Sequence, residues 1–160
     1  MDGMNFIIEK KPISFRETYV IKNRVGAQLG RVEKKIFSSN FVFMDNDGNE
    51  IFFMKHELIS FHPSYKILDS EGKLIVKINK EFKLLGASFS IEDENKRKIF
   101  DVRGNLLKCN YDFVNSNGMI VVRVHKELVN LIDSYFLDIS EEIDPRIALG
   151  VCIAIDILSK

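Results

Sequence analysis

The sequence predicts a mainly β protein: a closed antiparallel barrel of about twelve short strands built from repeated hairpins, enclosing a C-terminal hydrophobic α-helix. Two observations predict it. One pattern recurs five times in the 160 residues: an aromatic residue, Asp or Asn four positions on, usually Gly three later, then an apolar run. The tail then abandons this pattern for an almost unbroken apolar stretch from Ile147 to Leu158.

The copies open at Tyr19, Phe41, Tyr65, Phe89 and Tyr111, spaced 22, 24, 24 and 22 residues apart, and Tyr135 opens a half-copy another 24 on. A repeat of this length is one supersecondary unit used over and over. The opening residue and the one two later are apolar throughout (Tyr19/Ile21, Phe41/Phe43, Tyr65/Ile67, Phe89/Ile91, Tyr111/Phe113), so period two puts them on one face of a strand. The turns NRVG, DNDG, DSEG, DENK and NSNG supply residues that tolerate positive φ and bond their own backbone, which closes hairpins. Lys96 stands where the other copies have Gly, so the fourth turn is expected to differ in type or length.

In the second strands Phe52, Val76, Phe100 and Val122 align with Gly30, and Val32, Met54, Ile78, Val102 and Val124 follow two residues later. Arg31, Phe53, Lys77, Asp101 and Arg123 fall between them and should point outward. Five hairpins, a strand at 5–9 and another at 134–139 make twelve, and closing them into a barrel removes the exposed edges.

Asp144 suits an N-cap and Pro145 the first helical position. The run after them is apolar on every helical face, so it is either enclosed by protein or in a membrane. About a dozen residues containing Asp156 fall short of the roughly 20 that a span needs, so no transmembrane segment is expected. A twelve-strand barrel is wider than its own side chains fill, and Ala148, Gly150 and Ala154 keep the helix slim enough to plug it. One domain over 1–160 follows, with the barrel at about 5–140 and the central helix at about 144–158.

A net charge of zero argues against a nucleic-acid binder. The charge is uneven: residues 1–35 hold eight Lys/Arg and four Asp/Glu, residues 127–160 two and seven. Cys109 and Cys152 lie in strand-like and helix-like apolar segments and read as reduced, buried thiols. The start MDGMNFIIEKK has no apolar signal-peptide core, so the expected location is cytoplasmic, or peripheral on a membrane.

The repeats FVFMDNDGNEIFFM and YKILDSEGKLIVKI, then SYFLDI and the terminal IALGVCIAID, resemble the LURP-one-related family within the wider tubby C-terminal-like and phospholipid-scramblase-like group. The resemblance spans roughly residues 5–160. It implies a twelve-stranded barrel around a central helix and offers no catalytic residues to carry over. In the wider group tubby domains bind phosphoinositides and scramblases act at membranes. The residues ahead of the first copy hold no Cys-rich or Pro-rich run like that of the scramblases, so scramblase activity is not expected.

Motifs for chemistry are missing. His56, His62 and His125 form no zinc-protease pattern, although His56 shares a repeat position with Lys34, Lys80 and Lys126 at a polar strand end. The segment 45–50 lacks EF-hand ligand spacing, no Gly-rich phosphate loop or nucleophile elbow occurs, and the cysteines make no CxxC. Neither a metal nor a cofactor is expected, and the chain is not expected to be an enzyme. Asp156 reads as a carboxylate reaching the barrel mouth, where it accepts hydrogen bonds or pairs with Lys or Arg.

The remaining candidate is a surface. Arg31, Lys77 and Arg123 share one outward repeat position, and Lys55 and Arg103 follow two residues on, a set of cations placed to face anionic headgroups. The expected function is thus a non-enzymatic binding or regulatory module for anionic phospholipid or phosphoinositide at a membrane surface. The alternative is a soluble protein-interaction scaffold without a lipid ligand, for which outward Phe53 and Met44 are the hint.

Overall fold

A computed structural model describes residues 3–11, 17–59, 62–83, 86–129 and 131–159. The first half contains β1 (Gly3–Lys11), β2 (Thr18–Asn23), β3 (Gln28–Lys34), β4 (Phe41–Asp45), β5 (Glu50–Ile59) and β6 (His62–Asp69). β7 (Leu74–Lys83), β8 (Gly86–Glu92), β9 (Lys98–Asn105), β10 (Asn110–Asn115), β11 (Ile120–Val129) and β12 (Ile132–Ser140) follow, then α1 (Pro145–Leu158). Every strand pairs with its chain neighbours, and β1 closes the ring against β12 from Gly3↔Ser140 to Glu9↔Ser134. The predicted twelve-strand barrel is the observed one.

The five hairpins share one mechanism. In the second copy Asp45 Oδ1 accepts from the amides of Asp47 and Asn49, both at 2.9 Å, and Gly48 N donates to Asp45 O at 3.1 Å. Gly48 takes φ +84, and the ladder shifts register between Phe43 and Met44, a type I turn completed by a bulge. The same shift follows Ile21, Ile67, Ile91 and Phe113, the third residue of each other copy.

The fourth turn corrects the expectation for Lys96. Asp93 Oδ1 accepts from Asn95 N at 2.8 Å and Arg97 N at 3.0 Å, and Lys96 N donates to Asp93 O at 3.1 Å. The turn is the one its sisters use, with Lys96 held at φ +62. The Asp bonds dictate the geometry, and the Lys side chain accepts a disfavoured backbone region.

The inward face is the one the pattern predicted. All six opening aromatics are buried, none more than 4% exposed, as are Val32, Met54, Ile78, Val102 and Val124 beside them. They enclose α1, whose residues 148–155 are buried without interruption, so every face of its middle turns meets protein. Asp144 caps the helix by accepting from Arg146 N at 2.9 Å, and Pro145 opens it. Gly150 is the close approach: a Cβ there would stand 2.8 Å from Ile67 Cδ1 on β6. Cys152 is buried as expected. Cys109 is half-buried in the β9–β10 turn at φ +54, not in a strand, because the ladder ends at Asn105↔Asn110.

Candidate functional site

The helix C-terminus lies at the barrel end formed by the β1–β2, β3–β4, β5–β6, β7–β8, β9–β10 and β11–β12 connections, where Lys80 Nζ near the end of β7 donates to Leu158 O. Here the register places a basic residue opposite most opening aromatics: Lys10↔Tyr19, Lys34↔Phe41, His56↔Tyr65, Lys80↔Phe89 and Lys126↔Tyr135, with Gly104↔Tyr111 the exception. Directly opposed residues share a face, so these groups turn inward over the mouth. His56 meets Tyr65 edge-on at 5.1 Å, and Lys126 Nζ lies 5.7 Å from the Tyr135 ring centre. Cations here also complement the partial negative charge of the helix end.

Asp156 stands at the centre. Its Oδ2 accepts from Lys10 Nζ at 2.9 Å and Tyr19 Oη at 2.6 Å, and its Oδ1 accepts from Tyr135 Oη. Burial pushes this carboxyl up, but the hydrogen bonds from Tyr135, Tyr19 and Lys10 together with the Lys10 charge outweigh it, leaving the pKa below the ordinary carboxylate value. Burial, then the charge of Asp156, drives the Tyr19 and Tyr135 phenols up, so both remain donors. Burial likewise raises the Cys152 thiol, which accepts from Tyr111 Oη at 3.4 Å. Asp156 thus accepts three hydrogen bonds as a carboxylate, and the buried Cys152 thiol stays protonated. Among the described residues no group of three or more His, Cys, Asp or Glu is placed to hold a metal ion.

The five cations singled out in sequence stand on the outer wall in separate sets. Lys55 and Lys77 flank Lys66 in register across β5, β6 and β7, with Glu57 carboxylate oxygens 2.8 Å from Lys66 Nζ and 3.7 Å from Lys77 Nζ. Arg103 and Arg123 flank Asp112 across β9, β10 and β11, at 3.4 Å from Asp101 and 3.9 Å from Asp112 respectively. Arg31 pairs with Glu33 at 2.6 Å. A wall groove of about 490 Å³ lies near Arg123, between β1, β12 and β11, with Arg24, His125 and Phe136 in its lining. Asp138 also lines it, and its Oδ1 is buried without a hydrogen-bond partner among the described residues.

Charge distinguishes the two barrel ends. Among the described residues, those of segments 10–18, 34–40, 56–64, 80–88, 104–110 and 126–134 at the helix C-terminal end carry eight Lys/Arg and five Asp/Glu, and Asp156 at the mouth makes the acids six. The opposite segments 23–28, 45–50, 69–74, 93–98, 115–120 and 140–146 carry six and ten. Sequence reasoning noticed the shared position of Lys34, His56, Lys80 and Lys126 but missed Lys10. The signal was present: Lys10, His56, Lys80 and Lys126 each precede an opening aromatic by nine residues, the cross-strand distance around a loop.

A ring of strands closed by its first and last members around a buried helix defines a helix-plugged β-barrel. The chain belongs to the LURP-one-related family, whose pattern matches residues 4–156. It is similar to an X-ray structure of a protein from Arabidopsis thaliana, with a TM-score of 0.68 and 13% identity over 99% of this chain and 93% of that one. At that identity the likeness concerns the fold alone. None of the curated proteins compared with it matches.

Proposed function

We propose that this LURP-one-related barrel is a non-catalytic module that binds anionic phospholipid at a membrane surface through its helix C-terminal end. The observation that carries this reading is the polarity of the barrel, with a cationic excess of two among the described residues at that end and an anionic excess of four at the other. Basic groups near an anionic bilayer contribute about 1 kcal/mol each, so two net charges give roughly 2 kcal/mol, a weak attraction that salt weakens further. The row of Lys55, Lys66 and Lys77 adds cations on the wall. No helix of the described chain is long and apolar enough to cross a membrane. For the protein-scaffold alternative, Phe53 and Met44 offer little open surface: both are half-buried, and Lys35 Nζ lies 5.0 Å from the Phe53 ring centre.

Flotation with phosphatidylserine-containing vesicles tests the reading against neutral phosphatidylcholine vesicles and against added salt. Exposed Lys35 and Lys108 are the residues to reverse. The Lys35→Glu, Lys108→Glu double variant should lose flotation, while Arg123→Glu beside the wall groove should retain it. Equal recovery on neutral and anionic vesicles at low salt would sink the proposal.

A further inference from the structure

We propose that the same barrel end inserts a ring of apolar side chains into the bilayer, with the barrel standing end-on to the membrane. This rests on the anionic-lipid reading above and adds an orientation and a second source of binding. Eleven large apolar side chains are exposed among the described residues, and eight belong to this end. Ile36 and Phe37 come from β3–β4, Leu58 and Phe82 from the ends of β5 and β7, Leu107 from β9–β10, and Leu131 from β11–β12, beside Leu128 and Val129. They come from five of the six connections and so surround the mouth. The opposite end exposes Val25, Leu29 and Met119 among polar turns.

The backbone supplies an independent observation. Phe37 and Leu131 occupy the left-handed region at φ +56 and +65, where bulky residues are rarely found, and both are almost wholly exposed. Four of the five turns at the opposite end place Gly at that conformation. Glycine at 37 and 131 would relieve the backbone and leave nothing projecting. Bulky apolar groups kept at strained, solvent-facing positions mark a site whose partner is absent from the folded chain itself.

The chemistry of the ring points to a bilayer. Lys35 adjoins Ile36 and Phe37, Lys108 adjoins Leu107, and Lys80 Nζ lies 5.2 Å from the Phe82 ring centre. Apolar tips among lysines match the boundary between acyl chains and anionic headgroups, and stable attachment of a peripheral protein takes two such signals together. A flat bilayer also meets a whole rim at once. Insertion stops at the rim because the outer wall carries Lys55, Lys66, Lys77, Arg103 and Arg123, which a barrel immersed in lipid would not tolerate.

The chain has no Trp, so one introduced Trp reports from a single place. Phe37→Trp, Leu131→Trp and, at the far end, Val25→Trp are mixed with phosphatidylcholine vesicles with or without phosphatidylserine, some with brominated acyl chains. The first two should shift to the blue and be quenched by the brominated lipid only when phosphatidylserine is present, and Val25→Trp should do neither. Replacing Phe37 and Leu131 by Asp should weaken anionic-vesicle binding about tenfold or more, with an unchanged thermal melt because both side chains already face water. Flotation with silent Trp reporters and neutral Asp substitutions would overturn insertion while leaving the lipid reading intact. Absence of flotation on any vesicle would overturn both. A blue-shifted Phe37→Trp without vesicles, in a protein that sediments as a dimer, would assign the rim to a second copy of the chain and overturn the proposal.

Discussion

Replacing Asp156 by Ala should destabilise the protein by about 3 kcal/mol, because the two phenols that donate to it lose their acceptor inside the barrel. The magnitude follows from exposure. The side chain of Asp156 is 10% exposed and that of Lys10 25%, while Tyr19 and Tyr135 are almost completely buried. Lys10 turns its ammonium to water at small cost. Each stranded phenol costs about 1–3 kcal/mol. Relief of a carboxylate from the last helical turn returns about 0.3–1 kcal/mol. For a chain of this size the net loss corresponds to a melting-temperature drop of roughly 6–12 °C by far-UV circular dichroism. A double-mutant cycle sharpens the test: Tyr19→Phe should cost about 1–2 kcal/mol in the natural chain but restore about 1–3 kcal/mol in the Asp156→Ala background, where it removes a stranded phenol. Asp156→Ala melting within about 2 °C of the parent, or strictly additive effects in the cycle, would refute the account of the helix as anchored by this network. The pH dependence has a definite sign. The folded pKa of Asp156 is depressed, so its contribution is complete above the unfolded value of about 3.9 and is lost as pH falls through the folded one. The parent and Asp156→Asn stability curves should therefore approach each other only in acid.

All four tyrosines have raised pKa values, led in each case by burial, with Tyr65 pushed up to about 12. Their contribution is present below the unfolded value of about 10 and is lost as pH rises above it, so phenolate absorbance should appear only together with loss of the circular-dichroism signal. Lys96→Gly should raise stability by about 1 kcal/mol in urea titration, because the fourth turn already holds φ +62 without help from that side chain. Gly150→Ala sets a helix-propensity gain of about 1 kcal/mol against about 1–3 kcal/mol of overpacking on buried Ile67, for a net loss of about 1 kcal/mol. Adding Ile67→Val removes the obstructing Cδ1 and should make the double variant melt above Gly150→Ala alone.

The barrel was legible because its determinants are local. Alternation marked the inward face, Asp and Asn marked the turns, and the all-round apolar run from 147 to 158 required an enclosure. Lys96 was misread because residue type was weighed above the Asp93 side chain that determines the turn. Cys109 was misread because apolar neighbours, Leu106 and Leu107, belong here to a connection. The spacing of 22 or 24 is also local in origin: Lys34 and Gly104 precede their aromatics by seven residues, whereas the other four partners precede theirs by nine, so the difference lies in loop lengths at the helix C-terminal end.

The sequence by itself determined strand order, inward face, turn chemistry and the need for a buried helix, all of which depend on residues within a few positions of one another. Tertiary structure alone decided which end becomes cationic and apolar, which lysine meets Asp156, and how the wall cations divide into sets. Lys10 and Asp156 are 146 residues apart and touch only because β1 closes the ring and α1 threads it. Side-chain periodicity records which face of a strand is buried; it does not record which side chains far apart in the chain come to touch, because closure of the ring and the seating of the helix set that.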